Sequence, residues 1–417
     1  MATLAFTLFL ALVFIGLSPF MPPAAVSAYG GVATSGDSLR QITYVLAFGM
    51  IIVASAQQYG LAMVRTVPVS IALLLGWCLA SALWSDYSGV VIRRAGLEII
   101  IVLSVFLGVG ALGAQRAFAI WKWMLLAILV VNWLSIPVIP AARHFTTELD
   151  TALIGNWRGL YGHKNITGAV CVVTALMFLF TRNGKGNWFG ILAAAAATGF
   201  LLMAHSKSSL GFLPLAAATG MAYRLSWKDG LSRAILTLVA VLMLFALGLA
   251  TLFYADALNR LLSDPTEFTG RSAIWGAELA YIADHPLLGS GFGAFADNGG
   301  ASPLAPYATG FDTEWVRTVS HGHNGYLQLL VTIGGIGFAL AMASLVLSPA
   351  LRFWKLSAAG LKPLLFALFV FTLLHNVMES DFLEGDGVSW TTMLLVIALL
   401  RNMDETGSDG VTPARAI

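Results

Sequence analysis

The chain has 417 residues, of which 58% are hydrophobic and only 11% charged, and its net charge is +2. Its mean hydropathy is +0.82. A soluble domain carries about 25% charged residues, so this chain cannot dress a water-facing surface, and its near-balanced charge points to no nucleic-acid partner.

The apolar residues fall in runs of about 17–23, the length that spans about 30 Å of hydrocarbon as helix. The ten-residue alternation of a membrane barrel is not there. The fold class is therefore all-α, a polytopic integral membrane protein. Residues 4–20 open the chain, and VSA at 26–28 resembles a signal-peptidase site. No Lys or Arg precedes Arg40, however, so the charged n-region is missing and the segment reads as a retained first membrane helix. Further spans are expected at 41–58, 67–84, 95–113, 118–139, 166–181, 188–204, 208–223, 234–254, 325–347, 363–378 and 388–400, about twelve in all. Pro214 interrupts the eighth and the last is short, so either is a candidate re-entrant segment. Cys78 and Cys171 lie inside apolar segments and read as buried thiols. Glu98, within a span, has Arg94 one turn earlier as its expected partner.

Loop charge gives the orientation. Alternate connections carry Arg182 and Lys185, then Arg224, Lys228 and Arg233, then Arg352, Lys355 and Lys362. The opposite set holds Glu148, Asp150, Glu379, Asp381, Glu384 and Asp386. By the positive-inside rule both termini are cytoplasmic, and 140–165, 205–207, 255–324 and 379–387 share the outer face. The 255–324 loop is too long for a plain connector and is rich in aromatic residues. Within it, "TGRSAIWGAELAYIADHP" reads as a helix. Thr269 or Ser272 can cap it, Ile274, Glu278, Tyr281 and Ile282 fall at helical spacing, and Pro286 stops it. "GSGFGAF" then reads as a flexible turn.

Four polar clusters lie on this face at helix ends: Arg158, His163, Lys164 and Asn165; His205, Lys207, Ser208 and Ser209; Arg271; and His321, His323 and Asn324. Taken singly, such cations snorkel to headgroups. Together, Arg and Lys converging near the outer boundary make a site for phosphate oxygens. Their charge also opposes protonation of a neighbouring histidine, keeping a neutral imidazole able to accept a proton. The set suggests a hydroxyl attacking a phosphate-bearing carbon. "DFLEGDG" (381–387) lacks the pattern of a calcium loop and reads as an acidic outward loop. His321 and His323 have no evident third ligand, so no metal is expected. "GSGFG" follows no strand, so no dinucleotide site is expected. Gly334, Gly335 and Gly337 read as close helix packing.

GR-x-x-IW at 270–275, HPLLGSGFGAF at 285–295 and HGHNGYLQLL…GGIG at 321–337 closely resemble the bacterial O-antigen ligase and polymerase superfamily. RGLYGHKNITG at 158–168 looks most like its exopolysaccharide-polymerase branch. The resemblance runs from about 155 to 340. It implies a single membrane domain, 1–417, with 255–324 as a large periplasmic loop carrying part of the active site. It implies a metal-independent glycosyltransferase without cofactor in the bacterial inner membrane. The donor would be a glycan on undecaprenyl pyrophosphate and the acceptor a sugar hydroxyl, with membrane lipids, a flippase and a chain-length regulator as partners. By position, Arg271 would hold the pyrophosphate and His323 would be the catalytic histidine. Lys207 stands where ligases typically have Arg. Arg158, His163 and Asn165 would bind substrate, and His321 and Asn324 would support them. Polymerisation of surface polysaccharide is the leading expectation. The rivals are ligation of finished glycan to lipid A–core, a polysaccharide or lipid transporter, and a non-catalytic assembly partner.

Overall fold

In hydrocarbon every backbone N–H and C=O must be satisfied within the protein, so apolar runs of this length fold as helices. The computed structural model describes residues 1–20, 38–145, 151–181, 188–226, 230–234, 271–295, 302–307 and 321–405. In chain order the main helices are α1 Ala2–Phe14, α2 Ser38–Tyr59, α3 Val69–Ala80, α4 Ser88–Leu112, α5 Ala114–Val138, α6 Lys164–Phe180 and α7 Trp188–Ala204. They continue with α8 Lys207–Ser226, α9 Arg271–Asp284, α10 Gly325–Ala341, α11 Ser348–Lys355, α12 Lys362–His375 and α13 Val388–Glu405. No strand occurs among the described residues; Arg143 and Trp157 form an isolated bridge. Four helical stretches, Ser38–Thr66, Ser88–Leu112, Ala114–Val138 and Gly325–Lys355, are long and apolar enough to cross a membrane. Six shorter apolar helices accompany them. The span expected at 234–254 and much of the 255–324 loop lie outside the described residues.

Two expectations meet a different outcome. α8 runs unbroken through Pro214, because neighbouring helices can support a membrane helix that has lost one backbone donor. The short last segment forms α13, which buries Trp390, Met393, Leu394, Leu395 and Leu399. Glu98 does not pair with Arg94. Its carboxylate accepts from Trp390 Nε1 at 2.6 Å and from the Gly385 amide at 2.9 Å, while Arg94 donates to the Gly293 carbonyl. Cys78 and Cys171 are free and buried.

The glycines of the two most recognisable motifs serve one device. Gly334 interrupts α10 with φ 65° and ψ −177°, which would leave carbonyls orphaned before the break and amides after it. The segment 286–291 covers both ends. Ser290 and Gly291 donate to the carbonyls of Val331 and Thr332, each at 2.8 Å, and Gly335 donates to the Pro286 carbonyl at 2.8 Å. A Cβ on Gly289 would sit 2.6 Å from the Val331 carbonyl oxygen, and one on Gly334 would collide with Leu287. Backbone therefore packs on backbone here, where helix-on-helix packing was expected of Gly334 and Gly335. "GSGFGAF" is correspondingly no flexible turn: Phe292, Ala294 and Phe295 are buried, and Ser85 Oγ grips the Ser290 carbonyl at 2.6 Å. This strap ties α9 to α10, and those two helices carry Arg271 and the HGHN turn.

Candidate functional site

The HGHN turn ends where α10 begins. His323 takes a left-handed backbone, φ 52°, a region in which His is one of the better-tolerated non-glycine residues. Asn324 is the N-cap of α10, its Oδ1 accepting from the amides of Tyr326 and Leu327 at 3.1 Å each. Gly325 N donates to the carbonyls of Asn376 and Glu379 at 2.8 and 3.0 Å, and a Cβ at Gly325 would collide with the Asn376 side chain. Asn324 N donates to Ser380 Oγ at 3.1 Å. The start of α10 is thus docked on the turn that follows α12.

That turn presents Glu379, on which three of the expected site residues converge. His323 Nδ1 lies 3.2 Å from Oε2. Arg271 Nη2 lies 3.0 Å from Oε1, with Nη1 on the Met378 carbonyl. Asn165 Nδ2 donates to Oε1 at 2.7 Å. Burial by itself would raise the Glu379 pKa, but the hydrogen bond and charge of His323 and the charge of Arg271 hold it well below the usual carboxylate range. An ionised carboxylate only accepts hydrogen bonds, so His323 Nδ1 is the nitrogen that donates to it and Nε2 is the one turned away from it. Cations were the expected neighbours of this histidine; the structure adds a carboxylate that orients its ring. Glu379 was read only as one charge of an outward acidic loop. Beside Asp381, Glu384 and Asp386 no local signal in the sequence singled it out.

The other expected residues divide. His163 is the N-cap of α6, its Nδ1 accepting from the Asn165 amide at 3.2 Å. His144 Nε2 accepts from the Lys164 amide beside it at 3.2 Å. Both imidazoles use unprotonated nitrogens. Burial, then the neighbouring His144, lowers the His163 pKa to about 4. Arg158 is 1% exposed and donates to the carbonyls of Ala141 and Gly162 at 2.9 and 3.0 Å. Those bonds clamp its own loop. Lys207 begins α8 with its side chain exposed and is not drawn into the Glu379 cluster. The His321 ring packs edge-on to His323, centroids 4.2 Å apart. Its Nδ1 is buried with no hydrogen-bond partner among the described residues, and burial, then His323, pulls its pKa down to about 3.

A second acid, Glu278 on α9, is fully buried with neither carboxyl oxygen partnered among the described residues. A Cβ on Gly322 would collide with it, so the missing side chain between the two histidines makes its room. Burial raises its pKa well above the ordinary value; Ile274 and Tyr281 of the same helix belong to a small apolar cluster with Phe295 and Val331. Among the described residues no three His, Cys, Asp or Glu side chains are grouped to hold a metal.

A cation, a carboxylate and a histidine thus meet within a protein of apolar helices long enough to cross a membrane. The family model described as O-antigen ligase matches residues 169–342, and this match places the resemblance with the O-antigen ligase/polymerase superfamily. The matched stretch contains Lys207, Arg271, His321, His323 and Asn324; Asn165 and Glu379 fall outside it. No curated protein matches the chain.

Proposed function

We propose that this protein is an integral membrane glycosyltransferase that moves a glycan from undecaprenyl pyrophosphate to a sugar hydroxyl at the outer face of the bacterial inner membrane, polymerising exopolysaccharide or O-antigen repeats. The convergence of Arg271, Asn165 and His323 on Glu379 carries the reading. His323 Nε2 takes the proton of the acceptor hydroxyl as its oxygen bonds to the anomeric carbon, and the C–O bond to pyrophosphate breaks with its electron pair leaving on the phosphate. Arg271 has five N–H donors; those not used on Met378 and Glu379 meet the leaving oxygens. Pyrophosphate leaves readily as an anion, so one base suffices. In this reading 1–417 is one membrane domain of about twelve spans, with cytoplasmic termini and the 255–324 loop in the periplasm.

The likeness of 158–168 to the polymerase branch favours chain growth. Ligation to lipid A–core is the second reading, favoured by the description of the matched family. Purified protein with a lipid-linked donor separates them. Polymerisation lengthens the lipid-linked glycan without any other acceptor, whereas ligation requires lipid A–core. No transfer to either acceptor would overturn the transferase reading.

A further inference from the structure

Asp381, His375 and Ser209 stand in the order of a nucleophilic triad. His375 Nδ1 lies 2.6 Å from Asp381 Oδ2, and its Nε2 lies 3.3 Å from Ser209 Oγ. Ser209 Oγ is 3.1 Å from Ser206 Oγ, which reaches Asn165 Oδ1 at 3.5 Å. A serine nucleophile must be reachable, and Ser209 is not: Ser206, Ser209 and His375 are all buried, and Gly168 of α6 packs directly on the two serines. Nor does the row conduct a proton to the site, because the Asn165 carboxamide, which joins it to Glu379, does not pass one on. What the row can transmit is position.

Its other end does the same by a second route. His375 and Asp381 bracket the turn that carries Glu379. Inside the turn Asn376 Oδ1 accepts from the amides of Asp381 and Phe382 at 3.0 and 2.9 Å. The His375–Asp381 contact closes a loop over the five residues 376–380. That loop holds every group that the turn offers to the site: the Met378 carbonyl for Arg271, the Glu379 carboxylate, and Ser380 Oγ for the Asn324 amide.

We propose that Asp381 and His375 are positioning residues for the Glu379–His323 pair, acting through closure of the 376–380 turn and through the Ser209–Ser206 row to Asn165. This inference rests on the transferase reading for its effect on turnover, but not for its effect on His323. The test is nitrogen NMR of protein labelled with ¹⁵N-histidine, together with kinetics on a lipid-linked donor. Asp381→Asn should move the His323 ring resonances although Asp381 does not touch that ring. It should also lower kcat about tenfold, the coupling usual within one hydrogen-bonded network, with KM for the donor unchanged. Ser209→Ala interrupts the row by a single hydroxyl and should act in the same direction if Asp381→Asn does not fold. In a Glu379→Gln background neither change should lower kcat further. A moved His323 signal without turnover in the parent protein would uphold the positioning role and reject the transferase reading. Unmoved His323 signals in both variants would overturn the proposal, whatever happened to kcat.

Discussion

Two helix starts in this protein carry the same pair of residues in opposite roles. At α6 His163 is the N-cap, its ring nitrogen spent on the Asn165 amide, and the Asn165 side chain is released to reach Glu379. At α10 Asn324 is the N-cap, and the imidazole of His323 is released to reach the same carboxylate. An imidazole that caps a helix has its lone pair occupied and cannot also serve as a base. One register step relative to the helix start therefore decides which imidazole is spent on a cap and which reaches the carboxylate.

The largest expected effect breaks the α10 side. His323→Ala removes the base and should cost about 10²–10⁴ in rate with insertion and folding kept, as read from product glycan length. His163→Ala should cost about 1 kcal/mol of stability, the usual worth of an N-cap, and much less turnover. His163→Asn should restore the cap and nearly all activity, whereas His323→Asn should restore none. Equal losses at the two histidines would erase the distinction.

The shared carboxylate comes next. Glu379→Ala leaves Arg271 and His323 without their partner, and breaking a buried pair costs roughly 3–5 kcal/mol. Glu379→Gln keeps the shape and loses the charge, so it should unfold less readily yet remain impaired. Arg271→Lys should recover only part of the activity lost in Arg271→Ala, because a point charge replaces a fork. Full polymer output from Arg271→Ala would remove the phosphate role.

A smaller effect lies in pH. An unfolded histidine takes its proton near 6.5, while His163 in the fold does so only at about 4. The stability conferred at the α6 start is thus full above about pH 6.5 and is lost as pH falls towards 4. Glu278 is the opposite case. Its folded pKa is raised, so its contribution is full below an unfolded value near 4.3 and is lost as pH rises. Thermal midpoints should show the two slopes separately. His163→Asn should flatten the acid side, and Glu278→Gln should gain on the parent protein as pH rises above the ordinary carboxylate range. A gain independent of pH would mean that Glu278 is not titrating against its apolar surroundings. Lys207→Arg, at an exposed position outside the cluster, should change least of all.

The membrane class and the place of nearly every described helix were legible in the residues alone. Hydropathy over a span and punctuation at helix ends are local properties, readable a few residues at a time. The helix over 271–284 was legible for the same reason, since Ile274, Glu278 and Tyr281 all fall on its buried face. Which polar residues meet one another became visible in the folded chain alone. Glu379 receives Asn165 across 214 positions of chain and Arg271 across 108, and nothing within a local window marks it off from Asp381 or Glu384. Arg158 and His163 looked like site residues from their neighbours in sequence. In the fold Arg158 donates to the carbonyls of Ala141 and Gly162 and His163 accepts from the Asn165 amide, backbone groups that are costly to leave unpaired. The glycines of HPLLGSG and GGIG were legible as close approach, but their partner was not: a broken helix and the strap that covers its ends are complementary only once both halves are folded.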